Sequence, residues 1–169
     1  TQYFGFKEKP FKLTSNPEYL YRSRCHKEAL AYLHYSITEG EGFIQIIGEV
    51  GTGKTILCRI FLENLDDKTE AAYILNPKLN EIEILQTINH EFDIQSDDQS
   101  SKDLISTLNH FLIEQKSLGK RVIILIDEAQ NLSVSAMEQL RLLSNLETLK
   151  DKLLQIILVG QPELAEKMN

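Results

Sequence analysis

The chain has 169 residues, 42% of them hydrophobic and 25% charged, with eight glycines, four prolines and two cysteines. That is enough apolar material for one globular domain with a core, and it excludes a low-complexity or disulfide-scaffold chain. A net charge of −7 argues against broad, sequence-independent binding to nucleic acid.

Residues 1–23 read as a loop-like segment carrying Tyr3, Phe4, Phe6, Phe11, Tyr19 and Tyr21, aromatic enough to require something to pack on. The start, TQYFGFKEKPF, has no signal-peptide pattern, and no apolar run is long enough to span a bilayer. Cys25 and Cys58 have no metal-ligand spacing, and a cytoplasmic, reducing setting is expected. The histidines at 26, 34, 90 and 110 are scattered without ligand spacing. The basic stretch from Tyr21 to Lys27 suits either a phosphate contact or a solvated helix start.

A helix is expected over 24–39, with Ala29, Leu30, Leu33 and Ile37 on one face. FIQII at 43–47 is a strand, and a helix runs over 54–65. AAYIL at 71–75 is a second strand, ended by Asn76-Pro77. A helix over 80–92 places Ile82, Leu85 and Ile88 in register. A polar loop at 93–101 leads to a helix at 102–117, where Leu104, Leu108, Phe111 and Leu112 share a face. The unbroken apolar run Val122 to Ile126 suits a strand covered on both faces, as in a parallel sheet. A helix over 133–148, opened by a Ser135/Glu138 capping box, precedes a fourth strand at 153–159. Strands alternating with helices imply a parallel α/β sheet.

Between the first strand and the helix after it stands GEVGTGKT. Gly48, Gly53, Lys54 and Thr55 match the phosphate-loop pattern G-x-x-x-x-G-K-[ST]. Glycines let the backbone approach a phosphate, and the N–H groups of Gly48, Glu49, Val50, Gly51, Thr52 and Gly53 can form an anion nest. The helix start through Ile56 adds its positive dipole end. The Lys54 ammonium can reach the outer phosphates, and the Thr55 hydroxyl can ligate Mg2+.

Asp127 and Glu128 follow the third strand's apolar run, at the sheet edge where ligands bind in open α/β folds. Asp127 suits a magnesium-side acid, and Glu128 a base that deprotonates the attacking water. The glutamate favours a hydrolase over a small-molecule kinase. N-K-x-D is absent from the sequence, which favours adenine over guanine. Gln161, after the fourth strand, stands beside Asp127 if that strand lies between the first and third. It suits a γ-phosphate contact or a turn before Pro162.

Together with YFGFKEKPF at 3–11, NPEYLYRS at 16–23, HKEALAYL at 26–33, ILIDEAQNLS at 124–133, MEQLRLLSNLET at 137–148 and LLQIILVGQPEL at 153–164, these residues resemble an AAA+ ATPase. More narrowly, the chain resembles the general secretion pathway protein A type and the related ATPases of mannose-sensitive haemagglutinin pilus biogenesis. The resemblance implies a single AAA+ core domain over 1–169, a P-loop three-layer sandwich with parallel strand order 5-1-4-3-2. It implies ATP and Mg2+ as cofactors, and hydrolysis that drives assembly of a secretion or type IV pilus apparatus at the inner membrane. Carried over by position, Gly51, Gly53, Lys54 and Thr55 hold phosphate and magnesium, Asp127 is the magnesium-side acid, Glu128 the base, and Gln161 the sensor-1 residue. Tyr19, Leu20 and Tyr21 take the place of the adenine-pocket segment.

The resemblance places the fifth strand, the arginine finger and the helical lid after the last residue, Asn169, so the chain is expected to be a fragment. Without the finger, ATP turnover is expected well below about 1 s⁻¹, and a measured turnover near that value would refute this. The first strand is then expected to be an exposed edge. Expected partners are nucleotide, further copies of a longer chain, and secretion or pilus assembly proteins. Nucleic acid is not expected, and membrane association arises only through regions beyond this sequence or through partners. Two competing readings stand: a DNA-stimulated helper ATPase of transposition or replication, and a nucleotide-dependent scaffold without catalysis.

Overall fold

The computed structural model describes residues 17–48, 53–75, 77–95, 100–146 and 152–168. Four β-branched-rich segments form strands: β1 (Phe43–Ile47), β2 (Thr69–Leu75), β3 (Arg121–Asp127) and β4 (Gln155–Gly160). They make one parallel sheet in the order β1-β4-β3-β2. β4 therefore lies between β1 and β3, and β1 stands at an edge. β3 and β4 are central and buried on both faces, which is why their sequences are continuous apolar runs rather than alternating ones.

Six helices are described: α1 (Pro17–Thr38), α2 (Lys54–Glu63), α3 (Glu81–Glu91), α4 (Ser101–Ser117), α5 (Val134–Ser144) and α6 (Glu163–Met168). The strand alternation sorts the core into two clusters. Ile124, Ile126, Ile156 and Leu158 point to a face covered by Leu85, Leu108 and Leu140 of α3, α4 and α5. Ile123, Leu125, Ile157 and Val159 point to the other face, covered by Leu33 of α1 and Phe61 of α2. The result is a helix–sheet–helix sandwich.

Several boundaries differ from the sequence reading. α1 begins at Pro17, so 17–23 is helical rather than loop. A proline is tolerated in a first turn, where its missing N–H has no intrahelical partner to lose. The α5 cap is Ser133, whose side chain accepts the Ala136 N–H at 3.0 Å, so the Ser135/Glu138 box does not form. α5 ends at Ser144 rather than 148, because the chain turns there and Leu153 N–H donates to Leu146 O at 3.1 Å. β4 starts two residues late and includes Gly160, while β2 starts two residues early. On α3 the deeply buried apolar residues are Ile84, Leu85 and Ile88, and Ile82 only packs at the margin. Its start is a true capping box, Asn80 with Glu83.

Candidate functional site

β1 ends against the end of β4, where Gly48 N–H donates to Gly160 O at 3.0 Å. Glu49, Val50, Gly51 and Thr52 lie outside the described residues. Gly53 caps α2 with φ 82°, a left-handed conformation that costs glycine nothing. No side chain caps this end. Lys54, Thr55 and Ile56 form the first turn of α2, so the positive end of the helix dipole opens onto the loop.

At the end of β3, Asp127 is fully buried. A buried carboxylate needs donors, and three are present. Its Oδ2 accepts from Thr55 Oγ1 at 2.9 Å and from the Tyr73 hydroxyl at 3.0 Å. Its Oδ1 accepts the Glu128 N–H at 2.9 Å. Burial, and then the Asp127 charge, push the Tyr73 phenol well above its ordinary range, so it remains a donor. The same two causes, in the same order, push the Cys58 thiol far up, and this buried cysteine stays neutral and unreactive.

A hydroxyl and a carboxylate joined in this way fit Mg2+. That ion takes oxygen donors and few protein ligands, and it keeps several waters. Among the described residues no cluster of three or more His, Cys, Asp or Glu offers a competing metal site.

Glu128 has φ 57° and ψ 42°, a left-handed conformation that costs a non-glycine residue roughly 1–2 kcal/mol. Such strain is kept where surrounding contacts fix it. Here Gln130 Nε2 donates to Glu128 Oε1 at 2.6 Å. Gln130 Oε1 in turn accepts the Gln161 N–H at 3.0 Å. One amide thus ties Glu128 to the end of β4. A Cβ on Gly160 would stand 2.7 Å from Gln130 Oε1, so a side chain there would push this amide out of its place in the bridge. Lys167 of α6 anchors the same turn by donating to Gln130 O at 2.6 Å and Leu132 O at 2.7 Å. Lys78, Glu128, Gln130 and Gln161 line an open cleft of about 580 Å³.

Thr55, Asp127, Glu128 and Gln161 therefore gather at the edge formed by the C-terminal ends of β1, β3 and β4. Tyr19, Leu20 and Tyr21 belong to α1, and their side chains lie outside the described ones. Sequence reasoning missed two contributors, Tyr73 and Gln130. Tyr73 had one available signal: it is the one hydroxyl-bearing residue in the apolar run Ala71 to Leu75. Gln130 had none.

Residues 37–168 match a family model described as AAA domain. The chain is 48% identical over 170 residues to General secretion pathway protein A of Aeromonas hydrophila, covering 100% of this chain and 31% of that protein. Among solved structures, Cdc6p from Pyrobaculum aerophilum is similar at TM-score 0.70 and 20% identity, over 96% of this chain and 43% of that one. The Aeropyrum pernix ORC2 protein in its ADPNP–ADP complexes is similar at TM-score 0.63 and 17% identity, over 99% and 46%. At these identities the structural likeness speaks for the fold alone. The chain spans less than half the length of each of these proteins.

Proposed function

The chain belongs to the AAA domain family, and on that premise we propose that it binds ATP with magnesium and hydrolyses the β–γ phosphoanhydride bond. The observation that carries this is the 2.9 Å hydrogen bond from Thr55 to buried Asp127. It joins the helix after a glycine-rich loop to the end of a buried strand 72 positions away.

In this reading Gly48 to Gly53 and the α2 N-terminus cradle the phosphates, and Lys54 neutralises the outer ones. Thr55 gives its only proton to Asp127, which turns its lone pairs outward to a cation. Together with Thr55, Asp127 would hold the cation through Oδ1, since Oδ2 already takes the Thr55 and Tyr73 hydroxyls. Bound magnesium supplies charge neutralisation on the phosphate oxygens. Glu128 accepts a proton from water, the water oxygen bonds to the γ-phosphorus, and the bond to the bridging oxygen breaks, releasing ADP and phosphate. Gln161 contacts the γ-phosphate or that water. Tyr19, Leu20 and Tyr21 line the adenine. Nucleotide choice favours ATP over GTP because N-K-x-D is absent.

We place this hydrolysis in the service of assembling a secretion apparatus. The support is the 48% identity along the whole chain to General secretion pathway protein A. Cells whose only copy carries Lys54→Ala should stop exporting secreted proteins; normal export would sink that assignment.

Calorimetric titration with ATP and with GTP in magnesium tests the nucleotide reading. Wild type should bind ATP more tightly than GTP. Lys54→Ala should weaken ATP binding by roughly a hundredfold, as expected when one partner of a charge-assisted phosphate contact is removed. Equal ATP affinity in both chains would overturn the proposal.

A further inference from the structure

Tyr73 lies on β2, opposite Leu125 in the β2–β3 register. Its ring packs against the core cluster that contains Leu33, Cys58 and Phe61. Phenylalanine would fill that space as well, so the hydroxyl needs its own explanation. Its partner is Asp127 Oδ2, the oxygen that also takes the Thr55 proton.

An ionised carboxylate has about four acceptor positions. Thr55 and Tyr73 fill both on Oδ2, and the Glu128 N–H fills one on Oδ1. Counting donors among the described residues, the remaining position is on Oδ1. Rotation of the carboxylate would break the pairing with Thr55 and swing that open position away. Tyr73 opposes this rotation from β2, an edge strand held against central β3 by continuous pairing from Thr69 to Leu75.

We propose that Tyr73 is a positioning residue for the divalent cation: its hydroxyl locks Asp127 and, through Asp127, the outward orientation of the Thr55 hydroxyl. The proposal rests on the nucleotide-and-magnesium reading above. Its action is on the cation. Metal-free nucleotide, held by the loop and Lys54, does not depend on it.

The test measures ATP affinity of this chain calorimetrically, once in excess magnesium and once in EDTA. The ratio of the two affinities reports the coupling between cation and nucleotide. Tyr73→Phe should lower that ratio by roughly tenfold, the lower end for losing a partner that orients a metal ligand. Affinity in EDTA should stay within about twofold. Tyr32→Phe, a half-exposed tyrosine on α1, should leave both values unchanged. Tyr73→Leu repeats the measurement should the phenylalanine variant fold poorly. A parallel fall in both affinities would mean a structural role only, and an unchanged ratio would mean no role; either overturns the inference. Failure of wild type to bind ATP in magnesium would instead overturn the nucleotide reading and this inference with it.

Discussion

Glu128→Gln lowers ATP turnover by roughly 10²–10⁴-fold while ATP affinity stays within about twofold. The substitution keeps the shape of the side chain and removes only its basicity. Its amide oxygen can still accept from Gln130 Nε2, so the bridge to Gln161 need not rearrange. The left-handed backbone at Glu128 is equally available to glutamine, so no new strain enters. The phosphate-binding turn of α2 is untouched, which is why affinity is expected to survive. Single-turnover measurement with the chain in excess over labelled ATP reads even a slow rate. Turnover equal to wild type would remove Glu128 from the chemistry and favour a nucleotide-dependent scaffold.

Phe61→Ala costs about 3–5 kcal/mol of folding stability, read as a lowered denaturant midpoint at constant slope. Phe61 is wholly buried on α2. It fills the face of the sheet lined by Ile44, Ile123, Leu125 and Ile157, and its ring lies 5.7 Å from that of His34 on α1. Truncation leaves a cavity between both helices and the sheet, and close-packed cores collapse only partly around such a gap. The effect also reaches the site. α2 carries Lys54 and Thr55 on its first turn, two turns before Phe61. A helix that settles toward the cavity lengthens the Thr55–Asp127 hydrogen bond, so ATP affinity in magnesium should fall as well. A loss below about 1 kcal/mol would mean that α2 is not held by this packing.

The fold class was legible in the sequence because its signals are local. Helical and strand periods, and the long apolar runs of β3 and β4, identify elements without knowledge of their neighbours. The phosphate-loop pattern is legible for the same reason, since its residues occupy one turn of chain. Asp127 and Glu128 stand out because two carboxylates end a buried run. The boundaries were less legible. Ser133 and Ser135 are both plausible caps, and only the path into α5 decides which hydroxyl meets a free N–H.

Sequence by itself determined a parallel α/β domain with a glycine loop and an acidic strand end. Only the tertiary structure decided what surrounds Asp127 and Glu128. Tyr73 and Asp127 are 54 positions apart, and they meet because β2 pairs with β3 in one particular register. Gln130 bridges Glu128 to Gln161 because β4 inserts beside β3 and ends in a glycine. The six residues of α6 are too few to show a period, yet Lys167 secures the turn that holds Glu128. Period and motif belong to neighbours along the chain, whereas hydrogen bonds to a buried carboxylate belong to neighbours in space.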